Sequence, residues 1–334
     1  MQRVTPVNQK FEPQPVALQR HFFRRWQNVF ALILVLFFVL VALAADVLAP
    51  NQDIFWPSDL QWADDPLGAL PHPPNRQTLL GTVVARMHRQ VDIYTVLVHG
   101  TRSAFRFSLM VVLPTAFIGI LVGALSAFFG GVLNMAVLRV IDALMALPVI
   151  VGVFFINQLL LYSKGDASVI PTIGVIRHAP IAPWLSSLLE RVDPVMLALV
   201  LFSWMPYARL TNTMVLRTRQ TDYVEAARAL GANSGRLLWN HVLPNSISPT
   251  IILLARDLGG MVVLQATLTF IGLGGGSDWG WVLAISRNWM VGTFADLVAH
   301  WWLFLPPILA LVMFGVSWNL LGDGLNDWLN PRGA

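Results

Sequence analysis

The chain contains no cysteine, and this absence excludes several kinds of chemistry. There is no disulfide framework, no thiolate metal site and no cysteine nucleophile. The seven histidines include no pair four residues apart, the spacing with which one helix presents two imidazoles to a metal ion. No Ser/His/Asp arrangement stands out either. The residues therefore predict no catalytic set, no metal site and no cofactor bound by this chain.

Charge is also scarce. Charged residues make up 12% of the 334 residues and hydrophobic residues 56%, whereas soluble domains carry about 25% charged residues. Long uncharged runs together with this deficit place the chain in the membrane class, with the lipid bilayer as its surroundings. The net charge of +4 is modest, and no basic stripe with interleaved aromatic residues appears. We therefore expect no nucleic-acid partner.

Six apolar segments are long enough to cross a bilayer, which requires about 20 residues in a helix. The sequence thus predicts an all-α integral membrane protein with six transmembrane helices. The predicted segments are residues 29–49, 104–129, 138–161, 195–214, 247–271 and 301–322.

The first segment has two interpretations. Arg24 and Arg25 precede the apolar run, and Ala-Leu-Ala at 42–44 resembles a cleavage site, so a cleaved signal peptide fits superficially. The polar lead of residues 1–28 is long for a signal peptide. We therefore predict an uncleaved first membrane helix.

The placement of Lys and Arg predicts the orientation. If the N-terminus is cytoplasmic, eleven of these residues fall in inner segments and eight in the longer outer ones. Both termini are then cytoplasmic. The predicted regions are a cytoplasmic segment 1–28, a first helix 29–49, an outer loop 50–103, a core domain 104–322 with a cytoplasmic loop 215–246, and a cytoplasmic tail 323–334.

A short apolar patch lies near the end of the long outer loop, at residues 91–98. It predicts either a helix lying on the membrane surface or a simple lead-in to the second membrane helix. The sequence does not distinguish the two.

Residues 221–245 form a polar insertion between two apolar runs. Asp222 and Glu225 have capping-box spacing, with Asp222 as the expected N-cap of a short helix. Gly231 suits the left-handed position after that helix. Ser234 is the expected cap of a second short helix, and Leu243-Pro244 is expected to break the pattern. The prediction is a rigid helix–turn–helix; the alternative is an ordinary charged loop stabilised by its own caps.

This insertion resembles the EAA loop of bacterial ABC importer permeases. The matching positions are Glu-Ala-Ala at 225–227, Gly231 and Leu-Pro at 243–244, and His-Val-Leu-Pro-Asn at 241–245 resembles the dipeptide/oligopeptide branch. Residues 139–148, 270–280 and 320–332 resemble other segments of that branch's C-type subunit. One departure lies after Leu-Gly-Thr at 80–82, where Val83 to His88 replace the usual acidic residue and Gly-Arg-Asp run.

The resemblance implies a type I importer permease fold in the bacterial inner membrane. It also implies a sister permease, two cytoplasmic ATPases that bind ATP and Mg, and an extracytoplasmic solute-binding protein. The substrate would be a peptide or a similar small solute. Residues expected to couple this chain to an ATPase are Glu225, Ala226, Ala227, Arg228, Gly231, Leu243 and Pro244.

Three of the charged residues within the predicted membrane helices are candidates for the translocation path. Arg256 and Asp257 lie midway along the fifth, and such charges usually face a cavity or a partner. They predict either the lining of a translocation path or a salt bridge between helices. Asp142, near the inner end of the third helix, is a further path candidate or an interfacial charge.

No nucleotide site is present in the chain. The glycine cluster at 272–276 lacks the Gly-Lys-Ser/Thr sequence of a P-loop and predicts an outer turn. Any ATP hydrolysis must therefore come from another polypeptide. The alternative class is an ATP-independent secondary transporter or channel, but the inverted repeats typical of that class are not evident.

Overall fold

A computed structural model describes residues 23, 25–50, 70–85, 89–163, 193–291 and 298–329. These residues are predominantly helical, with one two-stranded antiparallel sheet. The predictions for residues 1–22, most of the outer loop at 51–69, the loop at 164–192 and the last five residues lie outside the described residues.

The described helices and strands are numbered along the chain. In chain order they are α1 (Trp26–Leu43), α2 (Ala45–Leu48), β1 (Thr82–Val84), β2 (Gln90–Asp92), α3 (Ile93–Phe129), α4 (Gly131–Met145), α5 (Val149–Ser163), α6 (Pro194–Ser203), α7 (Met205–Thr218), α8 (Asp222–Ala229), α9 (Ser234–Arg236), a π-helical segment (Leu237–Val242), α10 (Leu243–Ser246), α11 (Ser248–Phe270), α12 (Asp278–Met290), a 3-10 turn (Trp301–Leu303) and α13 (Leu305–Leu329).

Five described helical stretches are long and apolar enough to cross a membrane: Trp26–Leu43, Ile93–Phe129, Pro194–Thr218, Ser248–Phe270 and Trp301–Leu329. A sixth crossing results if the pair α4–α5, bent by 81°, is one broken span. The bend lies at Pro148, whose ring disfavours helical geometry at the preceding residue and which has no N–H for the helix ladder. Five of the six predicted crossings are therefore present, and the bent pair occupies the position of the remaining one.

The helices have two common ends. At one end, which we call the loop end, α3 and α7 finish, α11 begins and α13 finishes. Arg25, just before α1, contacts Asp327 of α13 there at 2.6 Å. At the opposite end, the hairpin end, β1 and β2 lie beside the start of α3 and against α12. The side chain of Trp279 in α12 donates to the Leu97 carbonyl there at 3.1 Å.

Glycine allows the closest helix contact, between α3 and α7. A Cβ atom on Gly123 would lie 2.3 Å from the Ala208 carbonyl oxygen, and one on Gly119 would lie 2.4 Å from the Cβ of Tyr207. Small residues let membrane helices approach in this way, where van der Waals packing replaces the hydrophobic drive of water. Helices α3 and α7 thus approach each other at backbone-contact distance along this stretch.

The apolar patch at 91–98 is the lead-in to the second membrane helix, the second of its two interpretations. Helix α3 is continuous from Ile93 because the side chain of Asp92 caps it, accepting bonds from Tyr94 N at 3.4 Å and Thr95 N at 3.2 Å. Val91 is buried in strand β2, which pairs with β1. The hydropathy pattern missed this small sheet, since three-residue strands carry too few residues for a period-two signal.

Candidate coupling loop and membrane path

The polar insertion forms a helical elbow at the loop end. Helix α8 spans Asp222–Ala229, and Gly231 turns the chain with φ +88°, a conformation that favours glycine. The expected N-cap was wrong by one residue: Thr221 occupies the cap position, without a side-chain capping bond. Asp222 and Glu225 instead lie in the first turn, where carboxylates interact favourably with the helix dipole.

The second half of the elbow also differs from the expectation. Asn233, not Ser234, is the cap, and its side chain accepts a hydrogen bond from Arg236 N at 2.7 Å. Leu243-Pro244 does not break the helical path. Pro244 falls in the first turn of α10, where its missing N–H is not needed. The chain therefore continues through α9, the π-helical segment and α10 towards α11.

The residues expected at the ATPase contact separate into two groups. Glu225, Ala226, Arg228, Gly231 and Pro244 are exposed. Ala227 is half-buried, and Leu243 is only 9% exposed. Both pack in a cluster that joins the elbow to α3 and α7, with Ala124, Ala127, Val215, Val224, Leu237, Leu238 and Val242. Ala227 and Leu243 thus hold the elbow to the bundle, while the first group presents a surface.

Three large apolar side chains on the elbow were missed. Leu230 is 89% exposed, and Tyr223 and Trp239 are about half exposed. Trp and Tyr are enriched among the few residues that dominate binding energy at protein interfaces, and the exposed Leu230 adds apolar surface on the same elbow. The sequence carried only part of the signal, because each is a large apolar residue outside the predicted membrane segments, as are the buried Leu237 and Leu238.

Polar bonds connect the elbow to the membrane helices. Arg219 NH1 donates to the Ala127 carbonyl at 2.7 Å, at the end of α3, and Ser246 Oγ donates to Thr218 Oγ1 at 2.9 Å. About two turns earlier in α7, the buried Asn212 donates to Ser126 Oγ at 2.9 Å and to Asn134 Oδ1 at 2.6 Å. These contacts connect the base of the elbow to α3 and, through α7, to α4.

Further from the loop end, three polar contacts each join two neighbouring helices. We call their six residues the polar belt: Asp142, Arg209, Tyr207, Asp257, Arg256 and Asp323. The Asp142–Arg209 ion pair (3.0 Å) joins α4 to α7, the Tyr207 hydroxyl donates to Asp257 (2.7 Å) between α7 and α11, and Arg256 contacts Asp323 between α11 and α13.

The belt includes the three path candidates from the sequence, and each has a partner on another helix. Arg256 and Asp257 are not paired with each other. The sequence did not indicate Tyr207, Arg209 and Asp323 as path residues, because partners 50 to 67 residues apart leave no local pattern. A rise of 1.5 Å per residue places Asp142, Arg209, Arg256 and Asp257 about 12 to 17 Å from the helix ends at the loop end.

At the hairpin end, α3 and α12 are held together by a buried clamp. Ser103 Oγ donates to Asp278 Oδ2 at 2.6 Å, and a Cβ atom on Gly100 would lie 2.5 Å from Trp279 Nε1. Burial raises the pKa of Asp278 above its usual range, and the bond from Ser103 opposes that rise. The Gly-Thr-Arg-Ser run at 100–103 and Trp279 therefore form one contact.

The glycine cluster forms a turn after α11. Gly272, Gly274, Gly275 and Gly276 all have positive φ, and the Gln265 side chain donates to the Gly275 carbonyl at 2.6 Å. Within the described ranges, no group of three His, Cys, Asp or Glu side chains could hold a metal ion.

These observations define the class of protein: a helical, multi-pass integral membrane protein with an exposed elbow at one end of the bundle. The family model of the binding-protein-dependent transport system inner membrane component matches residues 119–333. The chain belongs to this family. It is therefore the permease subunit of an ABC importer, and the predicted all-α type I permease fold is confirmed.

Named relatives extend the similarity over more of the chain. A putative peptide transport system permease protein of Brucella suis is 30% identical over 78% of this chain and 75% of its own length. The dipeptide transport system permease protein of Haemophilus influenzae is 29% identical over 98% of both chains. The nickel transport system permease protein of Escherichia coli is 28% identical over 92% of this chain and 95% of its own.

Proposed function

We propose that the chain imports peptides or a similar small solute in the bacterial inner membrane, together with a sister permease. Two cytoplasmic ATPases bind ATP and Mg and dock at the EAA elbows, and a solute-binding protein docks at the hairpin end. Both termini and the loop end are then cytoplasmic. The peptide substrate is supported by the names of the relatives from Brucella and Haemophilus. The nickel relative marks the main competing substrate class.

The exposed elbow carries this proposal. Glu225 and Arg228 supply polar contacts to the ATPase, Ala226 allows close approach, and Gly231 sets the turn. Leu230 is the apolar anchor. Because the elbow is joined to three membrane helices, a partner that moves it also moves the path. ATP can shift the transporter between states only if it binds one of them more tightly.

Co-purification of the assembled transporter tests the docking site. Leu230→Ser removes an exposed side chain without disturbing the core, and we expect it to reduce ATPase recovery about tenfold or more, as for an interface hot spot. Leu79→Ser is the matched control, since Leu79 is 63% exposed at the hairpin end. Gly231→Glu should also abolish association while leaving membrane insertion intact. Normal ATPase recovery in both elbow variants would contradict the docking site.

The path residues are Asp142, Arg256 and Asp257. Their position within membrane-spanning helices supports a polar or aqueous surrounding, because charge facing lipid is costly. Asp257→Asn tests this role through ATP-driven uptake into proteoliposomes. We expect reduced uptake with normal assembly; unchanged uptake would remove Asp257 from the path. Uptake of a labelled dipeptide compared with a nickel chelate, each supplied by the cognate binding protein, tests the substrate class.

A further inference from the structure

One face of α7 carries exposed polar side chains along most of its length. Pro206, Arg209, Thr213 and Arg217 are all exposed, and their spacing of three, four and four residues places them on one side of the helix. The opposite side, with Tyr207, Ala208, Thr211, Asn212 and Val215, is buried. This polar face was not recognised in the sequence, where α7 was part of an apolar segment.

The exposed faces of α1 and α3 are different. On α1 they consist of Phe30, Ile33, Leu36, Phe37 and Leu40, and in the middle of α3 of Leu109, Met110, Leu113, Phe117 and Ile118. These faces suit lipid. Charges at the same depth are expensive in lipid and usually face the bundle interior or a water-filled cavity. The outside of the bundle therefore has apolar faces suited to lipid, on α1 and α3, and a polar face suited to water, on α7.

Of the two charges on the α7 face, Arg209 lies deeper, since Arg217 is next to the last residue of the helix. Arg209 is nine residues before the end of α7 at Thr218, about 14 Å from the loop end at 1.5 Å per residue. Its ion pair with Asp142 is open, since the side chains are 57% and 56% exposed. An exposed pair of this kind contributes little to stability, so another anion can replace the carboxylate of Asp142 at small cost.

Resting on the proposed import function, we propose that the α7 face lines the aqueous path and that Arg209 binds a carboxylate of the passing solute. Asp142 is the internal counter-ion, which the solute carboxylate displaces and which returns when the solute leaves. The planar guanidinium group matches carboxylate geometry with two parallel N–H donors. The shortest contact between the Arg209 guanidinium and the Asp142 carboxylate is 3.0 Å. The solute class is therefore small molecules with a free carboxylate.

The chain has no cysteine, so a single introduced thiol reports the surroundings of one position. Thr213 lies one helical turn from both Arg209 and Arg217. In the assembled transporter, we expect Thr213→Cys to react with two water-soluble thiosulfonates, the anionic sulfonatoethyl and the cationic trimethylammonioethyl reagent. Leu113→Cys, on the apolar face of α3, is the control and should not react. Labelling is measured on the separated permease chain.

The ratio of anionic to cationic labelling rates tests the role of Arg209. Adding Arg209→Gln to Thr213→Cys should lower this ratio about threefold or more, as expected for a unit charge one helical turn away in screened water. Adding Asp142→Asn should raise it, since the counter-ion is then lost. Arg209→Lys keeps the charge and should leave the ratio near its original value. This variant serves as the reference if Arg209→Gln assembles poorly.

Two results would overturn the inference. If Thr213→Cys reacts with neither reagent, lipid or the sister subunit covers the face. If it reacts but the rate ratio is the same with Gln and Lys at position 209, the guanidinium does not act on anions in the path. ATPase recovery is measured on the same preparations. Loss of the labelling pattern with ATPase retained refutes only this inference, whereas absence of ATPase from the unmodified transporter refutes the proposed function.

Discussion

Helices α4 and α7 are nearly equal in length, with 15 and 14 residues, yet they are held in different ways. Helix α7 buries six residues and meets the backbone of α3 through Gly119 and Gly123. Within the fully described helix α4, Ile141 is the buried residue. Ile141, together with the half-buried Val137 and Leu144, packs against Met205 and Ala208 of α7. Two polar contacts also join the helices: Asn134 to Asn212 and Asp142 to Arg209. Helix α7 is thus fixed mainly by close packing, whereas α4 combines a small apolar contact with polar contacts that can be exchanged.

This difference separates the roles of the two helices. Close packing has few alternatives, because filling or emptying a packed contact costs free energy in either direction. The charged groups of an exposed ion pair can instead bind water, a solute or a second subunit. Helix α7 is therefore suited to carry the displacement of the elbow, and α4 to change its partners.

The largest effect is expected where shape holds the bundle. Gly123→Ala places a methyl group against the Ala208 carbonyl, and the backbones of α3 and α7 must separate. We expect a loss of about 3 kcal/mol in stability, at the upper end of overpacking costs. Melting of the purified protein in detergent measures it. Gly260→Ala is the matched control, since nothing lies within 4 Å of that position; equal losses in the two variants would contradict the packing argument.

A smaller effect is expected at the buried polar contact between α4 and α7. Asn212→Leu removes the donor to Ser126 and Asn134 and leaves these partners without it, which costs about 2 kcal/mol. The same melting experiment detects this loss. Thr213→Val, at the next residue on the exposed face, should melt like the unmodified chain. A stable Asn212→Leu variant would mean that packing alone positions α4.

The contact of Ser103 with Asp278 between α3 and α12 should make the stability of the protein depend on pH. Because burial raises the pKa of Asp278, the folded protein holds this proton more tightly than the unfolded chain. Stability from this group is then full below the unfolded pKa of about 3.9 and falls as pH rises through the folded pKa. Asp278→Asn should remove this dependence of stability on pH. The melting temperature of the variant minus that of the unmodified chain should therefore rise between pH 4 and pH 7. A constant difference would contradict the shift.

The smallest effect on stability is expected at the exposed ion pair. Asp142→Asn should lower the free energy of unfolding by less than about 1 kcal/mol, because water replaces the lost partner. Thermal melting at low and at high salt measures this loss. At each salt concentration, the melting temperatures of the variant and of the unmodified chain should differ little. A loss as large as that of Asn212→Leu would mean that α4 depends on this pair, and the contrast with α7 would fail.

The sequence alone predicted the membrane class, five of the crossings and the position of the elbow. These features follow from apolar length and from residues close together in the chain. The cap positions were harder, since Thr221 and Asp222 both suit an N-cap and the incoming backbone selects between them. Hydropathy also did not predict that α3 begins at Ile93. It detects the part of a helix that spans the bilayer, and not the capped extension outside it.

The polar belt shows why the remainder of the site could not be predicted. Arg256 and Asp257 were recognised as charges in an apolar segment, but their partners Asp323 and Tyr207 lie on other helices. Arg209 sits in a segment whose average is apolar, and only the folded arrangement shows that its face is open. Conversely, Leu243 matched the motif by position and is buried in the cluster below the elbow.

Helix α3 has a mechanical consequence for communication across the membrane. Its 37 residues span about 55 Å at 1.5 Å per residue, well beyond the roughly 30 Å of hydrocarbon. Arg219 donates to backbone carbonyls at its C-terminal end beside the elbow, and Ser103 near its other end bonds Asp278 of α12. One helix is thus in contact with other elements on both sides of the bilayer. A tilt of about 5° displaces one end relative to the other by about 5 Å over that length.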